Sequence, residues 1–266
     1  MIIDFHTHIF PDSMAEKTIS KLSSRIHENP YTNATLDGLK ASMKEAGVDY
    51  SVVLPVVTRP EQFDTVNKFA ASITGKDGIF SFGGIHPKTK NMREEINRIV
   101  ELGLKGIKLH PDFQDTYIDE KENVELITYA LQKGLNIVIH AGVDSELSNP
   151  VYCPPERSIK MIREVEQYVS TERIVLAHTG GLLMMDEVEE SLVGTNVHFD
   201  ISFSRKAMRQ EQMLRIIKNH GVDKILLGSD SPWDGQKETV EYVKSLPLSD
   251  NEKNRILGEN AKRLLF

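Results

Sequence analysis

The sequence predicts a (β/α)8 barrel, an α/β fold, formed by a single domain over residues 1–266. Eight short apolar runs alternate with helical segments along the chain, and this alternation is typical of a parallel sheet. Runs such as Ile137-Val138-Ile139 are apolar throughout, as expected for parallel strands that are buried on both faces. A barrel of this kind needs about 250 residues, so the length favours a closed barrel over an open doubly wound sheet.

Each predicted strand is a short run of β-branched or other apolar residues. The first contains Ile2, Ile3 and Phe5 and ends in a His-x-His pair. Because side chains alternate between the two faces of a strand, Asp4, His6 and His8 are expected to share one face. In chain order the predicted strands are residues 1–8, 51–57, 79–85, 106–110, 135–140, 174–178, 197–202 and 224–230.

The segments between the strands carry apolar residues at helical spacing, as Phe63, Val66 and Phe69 illustrate. Gly47 indicates a helix end, and Pro155 suits the first turn of a helix. The predicted helices are residues 14–26, 36–46, 61–73, 92–102, 123–132, 155–169, 184–192, 206–219, 239–246 and 252–265. The first connection, residues 9–47, is the longest and is expected to cover the site.

The composition suits a soluble globular protein, and a small-molecule substrate is expected. The net charge is −7 and no basic stripe is present, which argues against nucleic acid or an anionic membrane as the partner. No apolar run is long enough to span a membrane, and no secretory signal is visible. Cys153 is the only cysteine, so a reducing cytoplasm is expected, with an unreactive thiol in a loop. A homo-oligomer is left open.

Histidines concentrate at the ends of the predicted strands, where the active site of this fold lies. Six of the nine histidines fall there, and random placement would scatter them. The residues at these strand ends are His6, His8, His86, His110, His140, His178 and Asp230. The remaining histidines, His27, His198 and His220, fit no pattern and are expected to be structural or surface residues.

Four of these residues form a candidate metal site. His6, His8, His140 and Asp230 provide the nitrogen and oxygen ligands that a divalent cation such as zinc prefers. They would leave one coordination position open for water. We predict one metal rather than two, Zn²⁺ rather than Mn²⁺. The alternative is that these residues hydrogen-bond the loops at the barrel mouth.

Lys108 and His110 are expected to point into the barrel and contact substrate, since they share one face of the fourth strand. A buried lysine needs a partner. Lys108 could pair with an acidic neighbour or hold an anionic group of the substrate. It could also be carboxylated and bridge two metals. Asp4 is also expected to point inward and to form a salt bridge. His86 is equally a loop-stabilising residue or a ligand.

Short motifs at the strand ends resemble the amidohydrolase superfamily. The closer match is the amidohydrolase-related (amidohydrolase 2) branch, which includes proteins similar to aminocarboxymuconate semialdehyde decarboxylase. The motifs are Asp4-Phe5-His6-Thr7-His8, Gly106-Ile107-Lys108-Leu109-His110-Pro111, Ile139-His140-Ala141-Gly142, Leu176-Ala177-His178-Thr179-Gly180-Gly181, Leu227-Gly228-Ser229-Asp230-Ser231-Pro232-Trp233 and the closing Ile256–Leu264 segment.

The resemblance implies a role for each matching position. His6 and His8 match the first-strand ligands, His140 the fifth-strand ligand and Asp230 the eighth-strand ligand. His178 matches a histidine that binds a second metal or orients the attacking water and the substrate. Lys108 resembles the carboxylated lysine of dihydroorotase-like members. TatD-like deoxyribonucleases have an acidic residue after the fourth strand, and this chain departs from them there.

The leading functional prediction is metal-assisted hydrolysis of an amide, ester or lactone. Water on the metal would lose a proton to Asp230, and His178 would stabilise the oxyanion or position the water. The alternative is a metal-dependent, non-oxidative decarboxylation of a small aromatic or unsaturated acid, with Lys108 or Arg59 binding its carboxylate. A non-catalytic barrel that binds a ligand would be expected to lack a ligand position, and none is missing.

Overall fold

The structure is a computed structural model that describes residues 1–26, 28–144 and 150–266. Every strand pair in it is parallel. The strands are β1 (Ile3–Thr7), β2 (Tyr50–Val53), β3 (Ile79–Ser81), β4 (Gly83–Gly84), β5 (Gly106–Leu109), β6 (Asn136–Ile139), β7 (Ile174–Leu176), β8 (His198–Asp200) and β9 (Ile225–Leu226).

The strands follow the order of a (β/α)8 barrel. One sheet has the order β1-β2-β3 and the other runs from β4 to β9 in sequence. β3 and β4 are consecutive pieces of the single strand predicted at residues 79–85, interrupted only at Phe82. Phe5 N donates to Leu227 O (2.8 Å) and Asp230 N donates to His6 O (2.8 Å), which joins β1 to the segment after β9. The predicted fold class is confirmed.

The helices lie between successive strands and after the last one. They are α1 (Asp12–Ile26), α2 (Leu36–Ala46), α3 (Phe63–Ile73), α4 (Met92–Glu101), α5 (Pro111–Gln114), α6 (Lys121–Gln132), α7 (Pro155–Val165), α8 (Met185–Ser191), α9 (Ser204–Ala207), α10 (Gln210–His220), α11 (Gln236–Ser245), α12 (Asp250–Asn254) and α13 (Asn260–Leu265). The helix predicted at residues 206–219 is divided into α9 and α10, because Met208 between them is extended. The closing segment contains a π-helical turn at Arg255–Glu259.

The strands are shorter than predicted because their last residues leave the hydrogen-bond ladder. Asp230 has φ +68° and His178 has φ +56°, both in the left-handed region. These turns direct the chain away from the sheet just where the polar residues occur, and such conformations cluster at functional sites. The candidate site residues His178 and Asp230 thus lie on turns at the ends of strands.

Asp4 does not behave as the alternation of the first strand predicts. The register of β1 shifts between Asp4 and Thr7, so Asp4 and His6 have different surroundings. The Asp4 carboxylate accepts hydrogen bonds from Ser229 and from Gln236 at the start of α11. The predicted salt bridge is wrong for the described residues, because neutral donors satisfy this carboxylate. Burial raises the pKa of Asp4 to about 6 against the effect of these hydrogen bonds.

Candidate metal centre and active site

Three side chains converge where β1 meets the segment after β9. His6 Nε2 and His8 Nε2 are 3.1 Å apart. Asp230 Oδ1 lies 3.4 Å from His6 Nε2 and 3.3 Å from His8 Nε2. We call His6, His8 and Asp230 the first triad.

The hydrogen bonds behind the first triad fix which ring nitrogen carries a proton. His6 Nδ1 lies 2.9 Å from Asp200 Oδ2, and His8 Nδ1 lies 2.9 Å from Leu54 O. Both partners only accept, so each Nδ1 carries the proton and donates. In the neutral rings, both Nε2 atoms therefore present lone pairs towards each other and towards Asp230.

This arrangement fits a divalent metal. Three hydrogen-bond acceptors within 3.4 Å of one another repel unless a cation lies among them. Ligands placed about 2.0–2.2 Å from one ion are separated by roughly 3.0–3.6 Å. Burial and the charge of Lys108 lower the pKa of His6 to about 4, which keeps its ring in the neutral form that binds metals.

Asp230 is ionised in this environment. Burial opposes ionisation, but the close contact with His8 and the neighbouring His6 and His178 rings hold the pKa of Asp230 below its ordinary value. The carboxylate is thus available both as a ligand and as a proton acceptor.

Asp200 on β8 lies directly behind the first triad, and the sequence patterns did not single it out. It is fully buried, and its Oδ1 accepts from the backbone N–H groups of His178 (3.2 Å) and Ser202 (3.0 Å). The Ser202 hydroxyl also bonds Oδ1. Burial acts to raise the pKa of Asp200, yet His6, His178 and Ser202 keep it below its ordinary value. The sequence does contain one signal for this residue, since Asp200 is an acidic residue near the end of the strand predicted at residues 197–202.

Lys108 lies beside the first triad, as its predicted position on the barrel wall requires. Its Nζ is 3.3 Å from His6 Nε2, and the side chain is almost completely buried. Burial lowers the pKa of Lys108 to about 8, although the carboxylates of Asp200 and Asp230 act in the opposite direction. A cation therefore occupies the floor of the site next to the candidate metal position.

A second group of ligand-type side chains lies on the opposite wall of the mouth. His110, His140 and Asp144, which we call the second triad, are all buried, with donor atoms within 4.8 Å of one another. The His110 ring stacks between the rings of Phe113 (4.0 Å between centroids) and His140 (4.1 Å). Among the described residues, His110 Nδ1 and His140 Nε2 have no hydrogen-bond partner.

The structure thus divides the predicted ligand set. His6, His8 and Asp230 come together, whereas His140 belongs to the second triad. His140 contacts the rest of the site through His178, whose Nε2 lies 3.0 Å from His140 Nδ1. A role for His140 as fourth ligand of the same ion stays a prediction.

The other described histidines form hydrogen bonds with backbone atoms. His86 accepts from Lys88 N (3.1 Å) in its loop. His198 bonds Glu172 O (2.7 Å), and His220 bonds Val197 O (2.9 Å). His27 lies outside the described residues.

A family model described as "Amidohydrolase" matches residues 3–266. The chain belongs to the amidohydrolase family. It is therefore an enzyme of the amidohydrolase superfamily. A divalent metal is supported for it, and the first triad is one group of side chains that could hold the ion. No curated protein matches the chain.

Solved structures share the fold at low sequence identity. An uncharacterised TIM-barrel protein from Bordetella bronchiseptica is 17% identical with a TM-score of 0.76, over 99% of this chain and 98% of that one. The 5-carboxyvanillate decarboxylase of Sphingomonas paucimobilis is 15% identical with a TM-score of 0.71, over 99% and 98%. A dihydroxybenzoic acid decarboxylase from Polaromonas sp. JS666, with bound manganese and 2-nitroresorcinol, is 14% identical with a TM-score of 0.69, over 99% and 96%.

No helix in the described ranges of this amidohydrolase is both long and apolar enough to cross a membrane.

Proposed function

We propose that this amidohydrolase catalyses the metal-dependent, non-oxidative decarboxylation of a small aromatic or unsaturated acid. The observation that carries the proposal is the buried Lys108 ammonium, whose Nζ lies 3.3 Å from His6 Nε2 of the first triad. Similarity to decarboxylases of hydroxylated aromatic acids supports it. This reverses the order of the two predicted activities, in which hydrolysis came first.

His6, His8 and Asp230 would hold the metal, and Zn²⁺ and Mn²⁺ both suit their nitrogen and oxygen donors. When bound, the ion would orient an oxygen of the substrate and stabilise negative charge that develops during the reaction. Protein side chains would bind the carboxylate of the substrate, orient the substrate and transfer the proton.

Lys108 would bind the carboxylate of the substrate by a charge-assisted hydrogen bond. Arg59, the other predicted carboxylate ligand, is exposed to solvent, so Lys108 is the better candidate. Phe113 stacks on His110 and is only partly buried. Its ring would offer a flat apolar surface for a planar acid.

The proton would pass through Asp230. Its ionised carboxylate would accept the proton of a substrate hydroxyl and return it to the carbon that bears the carboxylate. The carbon–carbon bond to the carboxylate then breaks and carbon dioxide leaves, so one proton replaces one carboxylate at that carbon. His178 would orient the substrate from the neighbouring wall through its contact with His140.

Hydrolysis of an amide, ester or lactone is the second candidate function. The ionised Asp230 favours it, since a carboxylate beside the metal position could equally accept a proton from water. The two functions use the same residues and differ in the fate of the substrate.

Isotope tracing separates the two reactions. Hydroxybenzoic acids labelled with ¹³C at the carboxylate would be incubated with the Mn²⁺- or Zn²⁺-loaded enzyme in deuterated water. Decarboxylation releases labelled carbon dioxide and leaves deuterium on the ring carbon. For hydrolysis, candidate esters, lactones and amides would be tested in ¹⁸O water, which would label the product without release of carbon dioxide.

The Asp230→Ala variant is the control for the catalytic role. We expect it to lose at least about 100-fold in turnover, while its circular dichroism spectrum stays that of a folded barrel. Retained turnover in a folded Asp230→Ala protein would contradict the role of Asp230 in either reaction.

A further inference from the structure

We propose that a cavity at the N-terminal end of the barrel, the end opposite the first triad, binds the phosphate group of a small organic molecule. The cavity has a volume of about 310 Å³ and lies where the segments before β5, β6 and β7 meet the closing helix α13. Ligand pockets in proteins begin at about 300 Å³, so we expect a small ligand. The inference does not depend on which reaction the enzyme catalyses.

The cavity concentrates positive charge. Lys133, Arg173 and Arg263 are among the residues that line it, and no acidic side chain is among the described residues that do so. The whole chain, in contrast, has a net charge of −7. Asp223 accepts from Arg263 only through its backbone oxygen, since its carboxylate pairs with Arg255 at 2.6 Å. A multiply charged anion would therefore be stabilised in this cavity.

Hydrogen bonds to uncharged acceptors hold the two arginines in place. Arg173 Nη1 donates to Asn136 Oδ1 (3.2 Å). Arg263 Nη2 donates to Asn260 Oδ1 (2.9 Å) and to Asp223 O (2.8 Å). These bonds use one terminal nitrogen of each guanidinium group, which has five N–H donors in all. Each arginine thus keeps donors on Nε and on its other terminal nitrogen for a ligand.

Asn136 fixes the wall of the cavity before any ligand binds. Its side chain is buried, and its Nδ2 donates to Lys105 O (3.0 Å) and to Leu264 O (2.9 Å). Together with the bond from Arg173, these contacts join the segments before β5 and β7 to the start of β6 and to α13. A site whose walls are already in place loses little conformational entropy on binding.

The alternative is that these cations only balance the carbonyl ends of nearby helices. This accounts for Lys133, which directly follows α6, and for Arg263, which lies in the last turn of α13. It does not account for Arg173, because α7 ends at Val165 and Arg173 lies directly before β7. Arg173 is therefore the residue that most favours a ligand.

A phosphate ester fits both the charged and the apolar parts of the cavity. Guanidinium groups match the oxygens of phosphate through paired, charge-assisted hydrogen bonds. Leu104, Leu135 and Leu264 also line the cavity, and they would contact the organic part of the ligand.

Calorimetric titration of the metal-loaded enzyme with phenyl phosphate tests the proposal. We expect the wild type to bind it, and Arg173→Gln and Arg263→Gln to bind it about 10- to 100-fold more weakly, because each loses a charged hydrogen bond to the phosphate. Arg209→Gln, at an exposed arginine outside the cavity, is the matched control and should bind as the wild type does. His8→Asn, a change in the first triad, should also leave this binding intact.

Either of two results overturns the proposal. A wild type that does not bind phenyl phosphate at millimolar concentrations would show that the cations only balance the helix ends. If folded Arg173→Gln and Arg263→Gln proteins bind as tightly as the wild type and His8→Asn does not bind, the phosphate lies at the barrel mouth. Circular dichroism establishes that each variant is folded. Lys133→Gln, at an exposed side chain, should also weaken binding and carries the test if Arg173→Gln does not fold.

Discussion

Asp200 is not one of the three residues of the first triad, but its carboxylate holds the His6 ring of that triad in place. Its carboxylate accepts from His6 Nδ1 and from the backbone N–H groups of His178 and Ser202. A carboxylate behind a metal-binding histidine fixes the orientation and proton of the ring and makes it a better ligand. One buried acid therefore positions His6 and the turn that carries His178.

The Asp200→Asn variant should bind Zn²⁺ about 10- to 100-fold more weakly than the wild type, because an amide provides a weaker and partly misdirected partner for His6 Nδ1. Competition with a chromophoric chelator would measure the affinity. Asp77→Asn, which removes an exposed carboxylate, is the matched control and should bind as the wild type does. Equal affinities in all three folded proteins would mean that Asp200 has only a structural role.

Lys108→Met tests the ammonium on the floor of the site. Methionine retains the buried length of the side chain but cannot bind a carboxylate, and a charged hydrogen bond contributes about 1.5–3 kcal/mol. If the enzyme is a decarboxylase, KM should rise about 10- to 150-fold, with the metal content unchanged. Lys105→Met, at an exposed position just before β5, should leave KM as it is. An unchanged KM in Lys108→Met would assign carboxylate binding to another residue.

Single residues show what sequence alone can and cannot predict. The rim of histidines could be predicted because strand ends are visible as the ends of apolar runs. The separation of His140 from His6 and His8 could not be predicted. It depends on the stacking of the His110 ring against His140 and on the hydrogen bond between His140 and His178. Asp4 was misplaced because a shift of register in β1 breaks the alternation on which the prediction relied.

At the scale of elements, the short helix α5 connects three loops of the barrel mouth. Gln114 at its end is buried, and its Nε2 donates to Val57 O (2.9 Å) and Ile85 O (2.8 Å). Its Oε1 accepts from His110 N (3.0 Å). One amide thus links the segments that follow β2, β4 and β5. No sequence pattern indicated this role, since the contacts exist only in the folded barrel.

Gln114→Ala should lower the free energy of unfolding by about 2–4 kcal/mol, because it leaves buried backbone groups without partners at a cost of about 1–3 kcal/mol each, partly relieved by relaxation. Urea denaturation would measure the change. Gln132→Ala, at an exposed position at the end of α6, is the control and should change the unfolding free energy by less than about 0.5 kcal/mol. A similar small change in Gln114→Ala would show that the three loops are held by other contacts.

At the scale of the whole molecule, the first triad lies on the seam that closes the barrel. His6 and His8 belong to the first strand segment and Asp230 to the last. The backbone bonds across this seam, from Phe5 N to Leu227 O, from His8 N to Ser231 O and from Asp230 N to His6 O, bracket the triad. A metal held by these side chains would therefore join the two ends of the barrel wall. Binding of the metal and closure of the seam would then be thermodynamically coupled.

Removal of the metal should loosen this seam before it loosens the rest of the barrel. An ion present at 100 times its dissociation constant stabilises the folded state by about 2.7 kcal/mol, so openings that release it should become about 100-fold more frequent after chelation. Hydrogen exchange at the amides of Phe5, His8 and Asp230 would report this change. The amides of Asn136 and Ile137 lie at the start of β6, away from the seam, and donate to Lys105 O and Arg173 O. Their exchange rates should change far less. In a His6→Asn/His8→Asn variant, chelation should have no effect on the seam amides. Equal acceleration at the seam and at β6 in the wild type would mean that the metal stabilises the barrel only as a whole, and that the seam has no opening of its own.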